Sequence, residues 1–211
     1  MDAAFFRAWL AEAGTVIEAQ RDHLTQLDAA IGDADHGINL ARGFAAIATE
    51  LQQTATPTPG SVLVKAGATL ISKVGGASGP LYGMALRSAG KSLGDSPDAD
   101  LPALAACLEA ALAGVQKLGA AREGEKTMVD ALAPAVGALQ KAIAEGAAPA
   151  AALTSAAAAA ADGAQATISM QALKGRASYL GPRSVGHEDP GAASTALIFG
   201  ALRDVAVRQA P

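Results

Sequence analysis

The stretch Asp2-Ala3-Ala4-Phe5-Phe6-Arg7-Ala8-Trp9-Leu10-Ala11-Glu12-Ala13-Gly14-Thr15-Val16-Ile17-Glu18-Ala19-Gln20-Arg21-Asp22-His23-Leu24-Thr25-Gln26-Leu27 places apolar side chains at three- and four-residue intervals. Phe5, Phe6, Trp9, Leu10, Ala13, Val16, Ile17, Leu24 and Leu27 would therefore share one face of a helix, with Asp2 as its N-cap. The same period recurs outward along the chain. Gly32 to Gly37 interrupts it, and a second helix is expected from about Ile38 to Leu51. The turn Thr56-Pro57-Thr58-Pro59-Gly60 precedes a third, from about Ser61 to Gly75 and Gly76. Pro80 suits the first turn of a fourth, which fades before Gly94, Asp95 and Pro97. A fifth runs from about Asp100 to Leu118, a sixth from Thr127 to about Glu145 with Pro134 as a kink, a seventh from about Pro149 to Leu173, and an eighth from about Gly191 to Val207.

Composition agrees with an all-α class. Of 211 residues, 51% are hydrophobic but only 3% aromatic, and alanine supplies much of the apolar content. Such a chain favours close-packed helices over sheets, which need bulky or β-branched side chains. No boundary or repeat divides residues 1–211, so a single domain is expected. A net charge of −4 with scattered basic residues argues against nucleic-acid binding. The single Cys107 excludes an internal disulfide framework and a cysteine-based zinc site. Asp2 puts acid where a leader would be basic, and the longest membrane candidate, near Ala147 to Ala161, is alanine-rich and contains Thr154 and Ser155. The expectation is a cytoplasmic protein with no membrane partner.

Four segments carry chemistry. In the first, Leu27 to Asn39, three carboxylates (Asp28, Asp33 and Asp35) fall within eight residues where a helix ends. Crowded carboxylates repel unless protonated or held by a cation, and oxygen-only ligands suit Mg²⁺ or Ca²⁺. Gly32 and Gly37 are expected to supply the tight turns that converge them. An EF-hand fails on spacing, since counting from Asp33 puts its glycine at Ile38 and its final glutamate at Phe44. A solvated acidic capping loop is the alternative. His36 could contact a phosphate, carry a phosphoryl group, or cap the next helix.

The second, Gly75-Gly76-Ala77-Ser78-Gly79-Pro80, leaves backbone N–H groups free beside a helix N-terminus, which suits an anion. It lacks the Gly-Lys-Ser/Thr of a Walker A loop, and a plain helix–helix turn is the alternative. In the third, Gly124-Glu125-Lys126-Thr127-Met128-Val129-Asp130, Thr127 and Asp130 suit a helix start, while Lys126 reads either as a phosphate contact or as a solvated lysine. The fourth, Lys174 to Gly191, is the longest loop; Arg176 and Arg183 offer forked donors to phosphate and Asp189 an acceptor to a ribose or base.

Taken together these residues resemble a known family. Ile31-Gly32-Asp33-Ala34-Asp35-His36-Gly37 resembles the Gly-Asp-Gly/Ala-Asp-His-Gly motif of the dihydroxyacetone kinase L family. Gly75 to Pro80 is similar to that family's phosphate loop, and Lys174 to Gly181 with Gly186 to Gly191 to its C-terminal signature. The resemblance implies a barrel of eight antiparallel helices with a nucleotide site at one end. It implies that Asp28, Asp33 and Asp35 bind two Mg²⁺ ions bridging the phosphates of ADP or ATP. His36, Gly37, Ile38 and Asn39 would contact the nucleotide, Ala77 and Ser78 its phosphates, and Gly119 and Met128 the adenine side. Arg176, Asp189 and Gly191 would complete the pocket. Where the family often has Gly-Asp-Lys-Thr-Met, this chain has Glu125, one methylene longer.

The resemblance further implies a subunit whose ketone substrate sits on a separate K subunit and whose bound nucleotide is recharged by a phosphohistidine protein of the phosphotransferase system. Two other classes remain open: a partner subunit that exchanges ATP, and a nucleotide-state sensor that binds a regulatory protein such as a transcriptional regulator. A covalent phosphocarrier on His23, His36 or His187 is a third.

Overall fold

A computed structural model describes residues 1–210. Among them are nine α-helices: α1 (Ala3–Ala19), α2 (Arg21–Ile31), α3 (His36–Gln53), α4 (Pro59–Lys73), α5 (Ser78–Leu93), α6 (Leu101–Gly119), α7 (Val129–Ala144), α8 (Pro149–Ala166) and α9 (Pro190–Arg208). Short 3₁₀ turns cover Thr167–Ser169 and Arg176–Ser184. The all-α expectation holds, with one helix more than anticipated. The expected first helix breaks at Gln20, where the backbone leaves helical geometry at φ −102° and ψ 9°. The expected seventh ends as an α-helix at Ala166 and passes into the 3₁₀ turn Thr167–Ser169, where the buried Thr167 hydroxyl donates to the Ala164 carbonyl at 2.6 Å.

Local signals explain several of the helix starts. Asp2 accepts from the Phe5 amide at 2.9 Å, and Asp100 from Ala103 at 2.8 Å. Thr58 and Ser61 form a reciprocal capping box ahead of Pro59. Each such cap contributes about 1 kcal/mol.

Packing closes the helices on themselves. α3, α4, α5, α6, α7, α8 and α9 each touch the next in order, and α1 joins α9 to α3, making a ring of eight with α2 packed outside on α3 and α9. The core inside the ring is built from leucines with no exposed surface, among them Leu40, Leu63, Leu70, Leu104, Leu139 and Leu202. Burying each one contributes about 1.5–3 kcal/mol. Closure is pinned by Trp9, whose indole N–H donates to the Ile198 carbonyl at 3.0 Å.

α4 and α5 approach closely enough for their backbones to touch: a Cβ on Gly67 would lie 2.5 Å from the Gly83 carbonyl oxygen, and one on Gly90 2.6 Å from that of Gly60. Pro134 cannot donate to the Asp130 carbonyl, and that oxygen faces Gly163 of α8, where a Cβ would sit 2.1 Å away. α6, rather than the stretch Ala147 to Ala161, is the helix long and apolar enough to cross a membrane. Here it lies between α5 and α7, and Leu104, Cys107, Leu108, Ala111 and Val115 turn into the core.

Candidate functional site

Connections that follow the even-numbered helices, α2 to α3, α4 to α5, α6 to α7 and α8 to α9, gather around one cavity of about 420 Å³. Short turns between neighbouring helices send every second connection to the same end, so four segments far apart in sequence meet there.

The first brings Asp28, Asp33 and Asp35 together, with one carboxylate oxygen of each within 4.8 Å of the others. Asp28 sits buried in the last turn of α2 and accepts from the Asp35 and His36 amides at 2.8 and 3.1 Å, so it also fastens the start of α3. The turn between Asp33 and Asp35 is made at Ala34, whose φ of 61° is left-handed. This corrects the expectation that Gly32 and Gly37 supply the turn. Gly32 is needed for space, since a Cβ there would meet the Asp28 carboxylate at 2.0 Å, and Gly37 packs on the Arg21 carbonyl. Three carboxylates and no nitrogen or sulfur donor make a set that fits Mg²⁺.

The second segment supplies Gly76 at φ 68°, then Ala77 and Ser78 at the start of α5, whose first amides face the cavity end of the fold. Ser78 is joined to the first segment by His36. Imidazole Nδ1 lies 3.0 Å from the Ser78 hydroxyl and Nε2 2.8 Å from that of Ser194 on α9. Ser194 in turn lies 2.7 Å from the Tyr82 hydroxyl, which donates to the Gly191 carbonyl at 2.9 Å and also meets Thr195. Burial lowers the His36 pKa more than Asp28 and Asp35 raise it. With both nitrogens engaged, His36 ties α3, α5 and α9 together.

The third segment folds on Asp130, which accepts from the Gly124 and Thr127 amides. Glu125 closes the preceding turn by accepting from the Arg122 amide at 2.8 Å. Lys126 is neither solvated nor free: 1% exposed, it donates to the carbonyls of Thr167, at 2.7 Å, and His187.

The fourth segment is fastened by a small apolar cluster of Ile31, Ala172, Ala177 and Leu180, and by Ser184, which accepts from Ala172 and donates to Gly181. It aims Arg176 at Asp33, Nη2 to Oδ2 2.9 Å. Asp189 caps α9 through the Ala192 amide at 2.7 Å. Burial pushes its carboxyl up to about 7, with Asp130 adding to the shift and the Ala192 amide and Lys126 opposing it.

Of the residues expected at the site, Asp28, Asp33, Asp35, His36, Ala77, Ser78, Gly119, Met128, Arg176, Asp189 and Gly191 line the cavity. Gly37, Ile38 and Asn39 do not. Ile38 is half exposed and borders a separate depression with Arg21 and Thr25, and Asn39 is buried, accepting from Arg42 at 2.8 Å. Tyr82, Ser194 and the anchoring role of Lys126 were missed. The adjacent hydroxyls Ser194 and Thr195 inside an apolar helix were the available signal.

The DAK2 domain family matches residues 30–204. The PEP-dependent dihydroxyacetone kinase 1 ADP-binding subunit DhaL of Listeria innocua serovar 6a is 43% identical over 194 residues, covering 92% of each chain. The corresponding Escherichia coli K12 subunit is 42% identical over 186 residues, covering 88% of this chain and 89% of its own. Among solved structures, the dihydroxyacetone kinase of C. freundii in complex with AMP-PNP and Mg²⁺ superposes with a TM-score of 0.73 at 29% identity. That match covers 97% of this chain, which spans about a third (34%) of the solved one.

Proposed function

Because this chain belongs to the DAK2 domain family, we propose that it is the nucleotide-binding subunit of a dihydroxyacetone kinase, holding ADP or ATP with magnesium in the cavity. The observation that carries the reading is the convergence of Asp28, Asp33 and Asp35 beside the N-terminus of α5 at the mouth of one cavity. The three aspartates would hold two Mg²⁺ ions, which supply charge neutralisation at the phosphates. The chain's own groups then position the nucleotide. The start of α5 offers amides at Ala77 and Ser78, Arg176 offers a forked donor, and Gly119 and Met128 offer an apolar wall for the base. His36 lines the same cavity and belongs to this set as well, whereas Gly37, Ile38 and Asn39 lie outside it. Phosphoryl transfer asks mainly for such positioning, and no side chain here need act as a nucleophile.

The dihydroxyacetone would sit on a separate K subunit. A phosphohistidine protein of the phosphotransferase system would recharge the resident ADP, in keeping with the PEP dependence in the relatives' names. The subunit would work in the cytoplasm. A partner subunit that exchanges free ATP is a second reading, favoured by the likeness to a kinase solved with AMP-PNP. Mass spectrometry of nucleotide released by denaturing the dialysed protein separates them. Near-stoichiometric ADP supports the resident cofactor, and an empty protein that binds ATP reversibly supports exchange. Asp33→Ala is expected to abolish magnesium-dependent ADP retention with helix content intact; unchanged magnesium and ADP affinities would overturn the site.

A further inference from the structure

Lys126 lies on the loop between α6 and α7, next to Thr127 and Met128, and is among the residues that line the cavity. Two features set it apart from an ordinary loop lysine. Its backbone is left-handed, at φ 61°, a strained conformation for a residue with a Cβ. Its ammonium is withdrawn from water and held by the carbonyls of Thr167 and His187. Those carbonyls flank the segment that carries Arg176, and His187 stands two residues before Asp189. The Leu173 amide donates to the Glu125 carbonyl at 3.1 Å, so the same two loops meet a second time beside the lysine.

We propose that Lys126 is a positioning residue that sets the spacing of the Met128 loop and the Arg176–Asp189 loop across the cavity, and thereby the rate at which bound nucleotide leaves. The proposal rests on the nucleotide-binding reading above. An ammonium shared between the buried Thr167 carbonyl and the part-buried His187 carbonyl is a directional tie between the two loops, and its removal breaks that tie. The loops then separate more readily, and escape quickens while the capture surface formed by α5 and the aspartates is untouched.

The test compares wild type with Lys126→Ala and Lys126→Gln, all checked for helix content, by the release rate of a fluorescent ADP with magnesium and by backbone hydrogen exchange without nucleotide. Lys126→Ala is expected to speed release about tenfold or more, with the association rate within about twofold. Added primary alkylamines are expected to restore slow release, longer ones better than methylamine. Lys126→Gln, which keeps one donor group, is expected to fall between; it carries the test if the alanine variant does not fold. Exchange is expected to rise in residues 167–189. An unchanged release rate, or faster release that no amine corrects and that brings no change of exchange in residues 167–189, would overturn the proposal. Should wild type bind no nucleotide, the functional reading falls by itself, and the exchange comparison alone decides whether Lys126 spaces the loops.

Discussion

His36 and Ser194 stand 158 residues apart in the chain, yet the imidazole Nε2 and the serine hydroxyl are 2.8 Å apart in the buried floor of the site. The other ring nitrogen reaches Ser78 at 3.0 Å, so one side chain spans three helices that share no local contact in sequence. Ser194→Ala would leave a buried ring nitrogen and the Tyr82 hydroxyl each short of a partner. The expected cost is about 1–3 kcal/mol in urea unfolding. A loss below about 0.5 kcal/mol, the size of an ordinary surface change, would mean that the floor is held by other contacts.

Close approach of α4 and α5 makes a second prediction. Gly67→Ala would drive a methyl group into the Gly83 carbonyl, at an expected cost of about 1–3 kcal/mol. Gly137→Ala, inside α7 with nothing within 4 Å of a new Cβ, is expected to stabilise by about 0.4–1 kcal/mol. Equal effects of the two in thermal or urea unfolding would contradict the packing.

Asp189 should write a pH dependence into stability. Its folded pKa, about 7, lies above the ordinary 3.8, so between those values the folded state keeps a proton that the unfolded chain has lost. Its contribution therefore favours folding at low pH and is lost as pH rises from about 4 through about 7. Asp189→Asn keeps the cap on α9 and removes the titration. The stability of wild type relative to this variant is expected to fall by about 1–3 kcal/mol between about pH 5 and about pH 8, less than the full shift because part of the side chain still meets solvent. A flat difference would place the carboxyl at its ordinary pKa.

Arg176 is largely exposed where it pairs with Asp33. Arg176→Ala is accordingly expected to change stability by less than about 0.5 kcal/mol. Nucleotide affinity, by contrast, should fall roughly tenfold by calorimetry, with a weaker salt dependence than wild type. A large stability loss with unaltered affinity would make Arg176 a structural residue.

The helices were legible because their signals are local. Asp2, Thr58-Pro59 and Asp100 announce helix starts by chemistry confined to one turn. Gln20 was not legible, since the apolar period runs through it and no glycine or proline marks the break. At the site, the three aspartates, the Gly75–Pro80 turn and the Arg176–Asp189 loop were readable as clustered unusual residues. Lys126 and Tyr82 were not. A loop lysine beside Glu125 reads as solvated until carbonyls 41 and 61 residues downstream close over it. A tyrosine at an apolar helix position gives no hint of hydroxyl partners 112 and 113 residues away. Turn chemistry misled once: the left-handed residue of the aspartate loop is Ala34, while its neighbouring glycines answer to crowding.

Ring closure has a consequence for biosynthesis. Asp28 near one end of the sequence and Gly191 near the other line the same pocket, and α9 is the helix that seals α8 against α1. A nascent chain halted anywhere before α9 would lack the hydroxyl under His36 and would leave the apolar flanks of α1 and α8 bare to chaperones and proteases. Closure of the pocket thus waits on α9, because one helix brings both the last wall of the cavity and the last stave of the ring.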